Sequence, residues 1–177
     1  PLPPACDHRR YLALWLPQLP TERRTSAGRN EAQPLVLVDK QRGALRLTAV
    51  DALGLELGLR RGMSLSEARA RLPLLTVEDA DPEGDRRFLL SLTQACDRFS
   101  PLVALDGEDG LLLDITGCAH LFGGEAALRE RLCRQMERHG LTPRAVIAGT
   151  PDAAHALARF ATVTIVPPGE DAQAVSP

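Results

Sequence analysis

The stretch "LVALDGEDGLLLDITGC", residues 102–118, predicts the centre of the fold. Two short apolar runs flank a turn rich in aspartate and glycine, which is the pattern of a β-hairpin. Four acidic side chains lie in the turn and the second strand, namely Asp106, Glu108, Asp109 and Asp114. Carboxylates gathered at a hairpin tip can bind a divalent cation. They are also ordinary turn residues, and the residues alone favour that plainer interpretation.

The runs around this hairpin predict a mixed α+β fold. From residue 74 onward the predicted order is strand, helix, strand, strand, helix, strand, helix, and residues 11–16, "YLALWL", add an apolar strand. This order is typical of a split βαβ, ferredoxin-like sheet with helices on one face. Residues 19–73, with a predicted hairpin and a helix capped by Ser64, form an inserted lobe. Residues 1–10 and 167–177 are expected to be a disordered lead-in and tail.

Composition narrows the function classes without deciding between them. The chain has 177 residues and a formal net charge of -2, so it is not a strongly basic nucleic-acid module, although a local basic face is possible. No apolar run is long enough for a membrane span. The four cysteines show no CxxC spacing, which favours free thiols in a reducing cytoplasm over a metal site.

Four motifs in order resemble the Y-family translesion DNA polymerases. "YLALWLPQLP" at 11–20 is similar to the first palm strand of that family, and "LGLRRGMSLSEARARLP" at 57–73 to its finger segment. Residues 98–124 resemble the palm hairpin that ends in an apolar-Leu-Asp-apolar-Thr motif, and residues 146–161 the last palm segment. The resemblance implies a palm over 11–18 and 74–166 and small fingers over 19–73. It also implies an N-terminal segment without thumb or little-finger domains.

The resemblance also implies that the catalytic positions are degenerate. Family members bind two Mg²⁺ ions through an aspartate on the first strand and an Asp-Glu pair on the hairpin. The first position falls at or beside Trp15, and the pair falls on Asp109 and Gly110. One carboxylate of three is kept, so the resemblance implies no bound metal and no other cofactor.

The triphosphate-binding positions are altered in the same way. The tyrosine and arginine of the family's finger helix fall on Ala52 and Leu55, and the palm lysine falls near His155. Losing metal ligands and phosphate contacts together indicates a pseudo-enzyme. Arg60 and Arg61, in the finger turn, are the candidate DNA contacts, although paired arginines are most often solvated surface.

The branch of the family with these losses is the ImuB type, found in bacterial SOS-inducible mutagenesis cassettes. The resemblance implies a non-catalytic adaptor that links an error-prone C-family polymerase and a RecA-like accessory protein to the β sliding clamp at damaged DNA. An alternative is an active divergent polymerase or nucleotidyltransferase that uses Mg²⁺ and dNTPs through Asp106, Asp109 and Asp114. A further alternative is an unrelated split-βαβ interaction module.

Overall fold

The computed structural model describes residues 9–24 and 32–175. The described residues divide into two compact units, the first made of residues 9–17 and 86–175 and the second of residues 18–24 and 32–85. The helix Pro82–Cys96 crosses the boundary between them along the chain. The mixed α+β class predicted from the sequence is confirmed, because each unit builds its own sheet.

The first unit is organised around a four-stranded antiparallel sheet in the order β5-β6-β1-β7. Its strands are β1 (Tyr11–Trp15), β5 (Val103–Leu105), β6 (Gly110–Asp114) and β7 (Arg144–Ala148). Its helices are α4 (Pro82–Cys96), α5 (Glu125–Arg138), α6 (Pro151–Phe160) and α7 (Asp171–Val175), with a 3-10 turn at Ala119–Phe122. The register places Trp15 opposite Gly110 on one side and opposite Arg144 on the other.

Both faces of this sheet carry buried apolar side chains. Ala13 and Val146 pack with the apolar side of α6 in one buried cluster. Successive strand residues point to opposite faces. Leu12, Leu14 and Leu111 face the other way, and they are also fully buried. Because apolar side chains fill both faces, β1 reads as a continuous apolar run rather than an alternating one.

Within residues 18–24 and 32–85, the second unit has a three-stranded sheet in the order β3-β2-β4 and three short helices. The strands are β2 (Leu35–Gln41), β3 (Ala44–Val50) and β4 (Thr76–Asp79), and the helices are α1 (Leu19–Glu22), α2 (Ala52–Glu56) and α3 (Leu65–Arg71). The predicted hairpin is present, with φ of 50° at Arg42 and 82° at Gly43 in its turn. Two consecutive positive φ values suit the twist of a tight hairpin.

The boundary of the inserted lobe differs from the prediction. We expected the lobe to end at residue 73 and the next strand to join the sheet of residues 11–16. Instead, β4 pairs in parallel with β2, with Leu35 opposite Thr76 and Val38 opposite Asp79. The backbone N–H groups of Thr76 and Ala80 donate to carbonyls at the two ends of this pairing. The second unit therefore extends to Asp85.

The ends of the described chain are more ordered than the sequence indicates. Residues 1–8 of the predicted lead-in lie outside the described residues, but Arg10 is buried, and its guanidinium donates to both carboxylate oxygens of Glu125 at 2.6 and 2.8 Å. The predicted tail from residue 167 contains α7, and Asp171 accepts a hydrogen bond from the N–H of Gly149 at 2.9 Å.

The cysteines within the described residues are free thiols. Cys96 is the last residue of α4 and is fully buried, and this burial raises the pKa of its thiol to about 12. Burial also raises the pKa of Cys118 and of Cys133. These three thiols are therefore poor nucleophiles, because the thiolate is the reactive form. No helix in residues 9–24 and 32–175 is long and apolar enough to cross a membrane.

Candidate functional site

Side chains from three parts of the first unit meet at one end of its sheet. Trp15 is the last residue of β1, and Asp106 and Asp109 lie in the turn between β5 and β6. His155 and Arg159 project from α6, one helical turn apart. The antiparallel pairing brings the end of β1 beside the start of β6, so the turn acids come within reach of α6 on the same face.

Arg159 bridges the two aspartates of the turn. Its Nη1 lies 3.1 Å from Oδ2 of Asp106, and its Nη2 lies 3.2 Å from Oδ1 of Asp109. Nη2 also donates to the backbone oxygen of Asp106 at 3.2 Å. The arginine side chain is 13% exposed, and those of Asp106 and Asp109 are 17% and 32% exposed. One guanidinium thus balances two carboxylates that are largely withdrawn from water.

The remaining oxygens of the two aspartates also have partners. Oδ1 of Asp106 lies 2.7 Å from Nδ1 of His155. Oδ2 of Asp109 accepts a hydrogen bond from the indole Nε1–H of Trp15 at 2.9 Å. An indole can only donate, whereas the carboxylate implied at this position would only accept. At Trp15 the site therefore presents a hydrogen-bond donor where the resemblance implies an acceptor.

Gly110 leaves no room for the second carboxylate of the implied pair. A Cβ built on this residue would lie 2.8 Å from the backbone oxygen of Asp106 and 3.0 Å from that of Leu14. It would also lie 3.1 Å from Nη2 of Arg159. Two of the three close neighbours are backbone atoms, one in the paired strand β1 and one in the turn bonded to Gly110, and neither can move aside without disturbing the hairpin.

These residues do not fit the metal site that the resemblance implies. Mg²⁺ needs several hard oxygen ligands in near-octahedral geometry. The carboxylates of Asp106 and Asp109 face a guanidinium, an indole N–H and an imidazole instead. Within residues 9–24 and 32–175, no group of three or more His, Cys, Asp and Glu side chains is arranged to hold a metal ion.

Asp114 lies away from the other acids. It ends β6 opposite Tyr11, whereas Gly110 begins β6 opposite Trp15. Four residue steps of an antiparallel strand span roughly 13 Å. Oδ1 of Asp114 accepts from the backbone N–H of Thr116 and so closes the next turn. Asp106 and Asp109 converge, but Asp114 does not join them.

The other predicted positions lie in the second unit. Ala52 begins α2 and is exposed, and Leu55 is partly buried on the same helix. Arg60 and Arg61 are exposed in the turn that follows. Nη1 of Arg60 donates to the carbonyls of Leu55 and Leu59, both at 2.7 Å. No hydrogen bond or ion pair to another described residue holds the Arg61 guanidinium.

Arg159 is the residue that sequence reasoning missed. The sequence places the degenerate lysine position near His155 and carries no assignment for the arginine four residues later. Residues four apart on a helix lie on the same side. An arginine at that spacing, on the segment opposite an acidic hairpin, was a detectable signal for an ion pair.

Known proteins with similar sequences confirm the family. The model of the family described as "IMS: impB/mucB/samB family" matches residues 24–159. The chain belongs to the impB/mucB/samB family. Two family relatives, each named "Protein ImuB" and from two strains of Caulobacter vibrioides (NA1000 / CB15N and ATCC 19089 / CIP 103742 / CB 15), are 49% identical to it over 121 residues. The match covers 68% of this chain and 26% of each relative, so the chain spans about a quarter of their length.

Solved structures show that this impB/mucB/samB chain has the fold of Y-family polymerases. The insertion ternary complex of Dbh DNA polymerase matches with a TM-score of 0.77 at 14% identity, over 91% of this chain and 49% of that one. DinB from Sulfolobus solfataricus matches with a TM-score of 0.73 at 14% identity, with the same coverage. At this identity the likeness extends to the fold alone.

Proposed function

We propose that this chain is the non-catalytic, polymerase-like part of an adaptor for SOS-induced translesion DNA synthesis and mutagenesis in the bacterial cytoplasm. The observation that supports this most strongly is the bridge from Arg159 to Asp106 and Asp109, because it occupies Asp109, the one carboxylate kept at the implied metal-ligand positions. The chain retains the fold of a polymerase and uses it for binding, as a pseudo-enzyme.

Three positions of the first unit support the loss of catalysis together. Trp15 presents a donor where the resemblance implies an acceptor. Gly110 has a backbone environment that excludes a side chain. His155 lies against Asp106, and its side chain is partly exposed. Each change is compatible with the other two, and together they form one connected network. Three changes that are compatible with one another indicate a structural role for this site, whereas the loss of one metal ligand alone would not.

The partners of the proposed adaptor are an error-prone C-family polymerase, a RecA-like accessory protein and the β sliding clamp, with DNA as a further ligand. This part of the proposal follows the ImuB-type resemblance, and it concerns the protein at its natural length. The test is capture of the C-family polymerase on immobilised clamp with and without this protein. Capture that depends on the protein is expected. Equal capture without it would contradict the adaptor role.

DNA contact is proposed for the turn after α2, chiefly through Arg61. The exposed guanidinium of Arg61 is available for a phosphate, whereas Arg60 already donates to two carbonyls. We expect Arg61→Ala to weaken binding of single-stranded DNA. We also expect the slope of the logarithm of the binding constant against the logarithm of salt concentration to become shallower by about one. The measurement is fluorescence anisotropy at several salt concentrations.

Arg134→Ala is the matched control for this prediction. Arg134 is 60% exposed and pairs with Glu130 on α5, so its loss changes the net charge equally at a site in the first unit. An equal fall in affinity for both variants would indicate a general charge effect and would remove Arg61 as a specific contact. Arg60→Ala is less informative, since it also removes the two carbonyl contacts.

A further inference from the structure

The carboxylates of Asp106 and Asp109 converge on a single cationic group, the guanidinium of Arg159. The two carboxylates approach one guanidinium from two sides at 3.1 and 3.2 Å. Side chains of like charge this close oppose each other's ionised form unless a cation lies between them. In this chain that cation is carried by α6, on Arg159.

We infer that the guanidinium of Arg159 takes the place of a divalent cation. It keeps metal ions away from a carboxylate pair that would otherwise bind one. This inference rests on the proposed loss of catalysis and gives it a specific cause. The missing ligands at positions 15 and 110 would weaken a metal site. The guanidinium between Asp109, the one ligand position that is kept, and its neighbour Asp106 would exclude the ion by charge and by volume.

The contacts of Arg159 indicate a side chain that is fixed in position, not a solvent-exposed ion pair. Its side chain is 13% exposed, and its guanidinium carbon lies 5.8 Å from the centre of the Trp15 ring. Nη1 also approaches the backbone oxygen of His155 at 3.4 Å. A Cβ at Gly110 would come within 3.1 Å of Nη2, so the arginine occupies space next to the missing side chain. The replacement thus involves the same positions at which the ligands are absent.

The inference predicts a gain of metal binding when the arginine loses its charge. Without Arg159, Asp106 and Asp109 would be two carboxylates with no compensating guanidinium, and carboxylate oxygens are ligands that suit Mn²⁺. We expect Arg159→Ala to bind Mn²⁺ about tenfold more tightly or better than the wild type, because a neighbouring positive charge at this range opposes binding by at least that factor. Arg159→Lys keeps the charge and is expected to resemble the wild type.

The experiment is titration of the purified protein with Mn²⁺ alone, followed by electron paramagnetic resonance of the free ion. Arg159→Ala combined with Asp109→Asn should lose the gain, which places the ion at this pair. Heating each variant with and without Mn²⁺ provides a second measurement, since an ion that binds only the folded state raises the melting temperature. If Arg159→Ala folds only in the presence of Mn²⁺, that result also supports the inference.

Several results would overturn it. Wild-type protein that binds Mn²⁺ as tightly as Arg159→Ala would show that the guanidinium excludes nothing. A folded Arg159→Ala or Arg159→Gln variant with no gain in Mn²⁺ binding would reduce Arg159 to an ordinary structural ion pair. If Arg159→Ala does not fold under any condition, the result on Arg159→Gln decides. A negative result in all of these variants leaves the adaptor proposal intact, because that proposal depends on the wild type.

Discussion

Replacing Gly110 by glutamate is expected to destabilise the first unit by about 3 kcal/mol or more and to restore no metal site. Glutamate is the residue that the family resemblance implies for an active polymerase at this position. Its Cβ would lie 2.8 Å from the backbone oxygen of Asp106 and 3.0 Å from that of Leu14. Because position 110 is buried, the carboxylate of the new glutamate would also need a hydrogen-bond partner. The space beside it is already occupied by Arg159.

Urea unfolding followed by Trp15 fluorescence measures this directly, since Trp15 is the only tryptophan and lies in the first unit. Gly110→Ala should cost about 2 kcal/mol through the backbone clash alone. Gly149→Ala is the matched control, because the nearest atoms to its Cβ belong to the Asp171 side chain at 3.0 Å, which can move. Equal losses for the two alanine variants would contradict the proposed cause.

Replacing Arg10 by methionine is expected to destabilise the first unit by about 2–4 kcal/mol, toward the lower part of the range for a broken buried ion pair because Glu125 is partly exposed. The Arg10 side chain is 8% exposed and that of Glu125 is 27% exposed. Arg10 also donates to the carbonyl of Val166 at 2.7 Å. One side chain therefore links the strand β1 to the start of α5 and to the C-terminal segment.

A double-mutant cycle with Glu125→Gln separates the pair from its surroundings. We expect the double variant to lose clearly less stability than the sum of the single losses, because each single change leaves one charge without its partner. Unfolding by urea with the same fluorescence signal provides the values. Additive losses would show that Arg10 acts through packing and the Val166 carbonyl, not through Glu125.

Local signals in the sequence were sufficient for most of the elements. The helix α3 begins as predicted, because the Ser64 hydroxyl accepts the N–H of Glu67 at 3.2 Å. The helix α6 begins in the same way, with Thr150 accepting the N–H of Ala153. The hairpin around Asp106 and Asp109 follows from two apolar runs and a turn. These features depend on residues that are close in the chain, so pattern and propensity determine them.

What the sequence did not reveal depends on contacts between distant residues. The strand at 76–79 reads the same whichever sheet it joins, and only its pairing with β2 places it in the second unit. Arg10 lies in an unremarkable polar segment, and its burial follows from Glu125, 115 residues away. Arg159 became visible only when α6 was placed against the hairpin. Long-range partners of this kind are not encoded in local periodicity.

The most direct test of the non-catalytic role is primer extension by the protein at its natural length, with Mg²⁺ and with Mn²⁺, beside an Asp109→Ala variant. We expect no nucleotide incorporation above a protein-free control in either metal, and no difference between wild type and variant. Incorporation by the wild type that Asp109→Ala abolishes would contradict the proposal. It would mean that Asp109 binds metal during the reaction despite its contacts with Trp15 and Arg159.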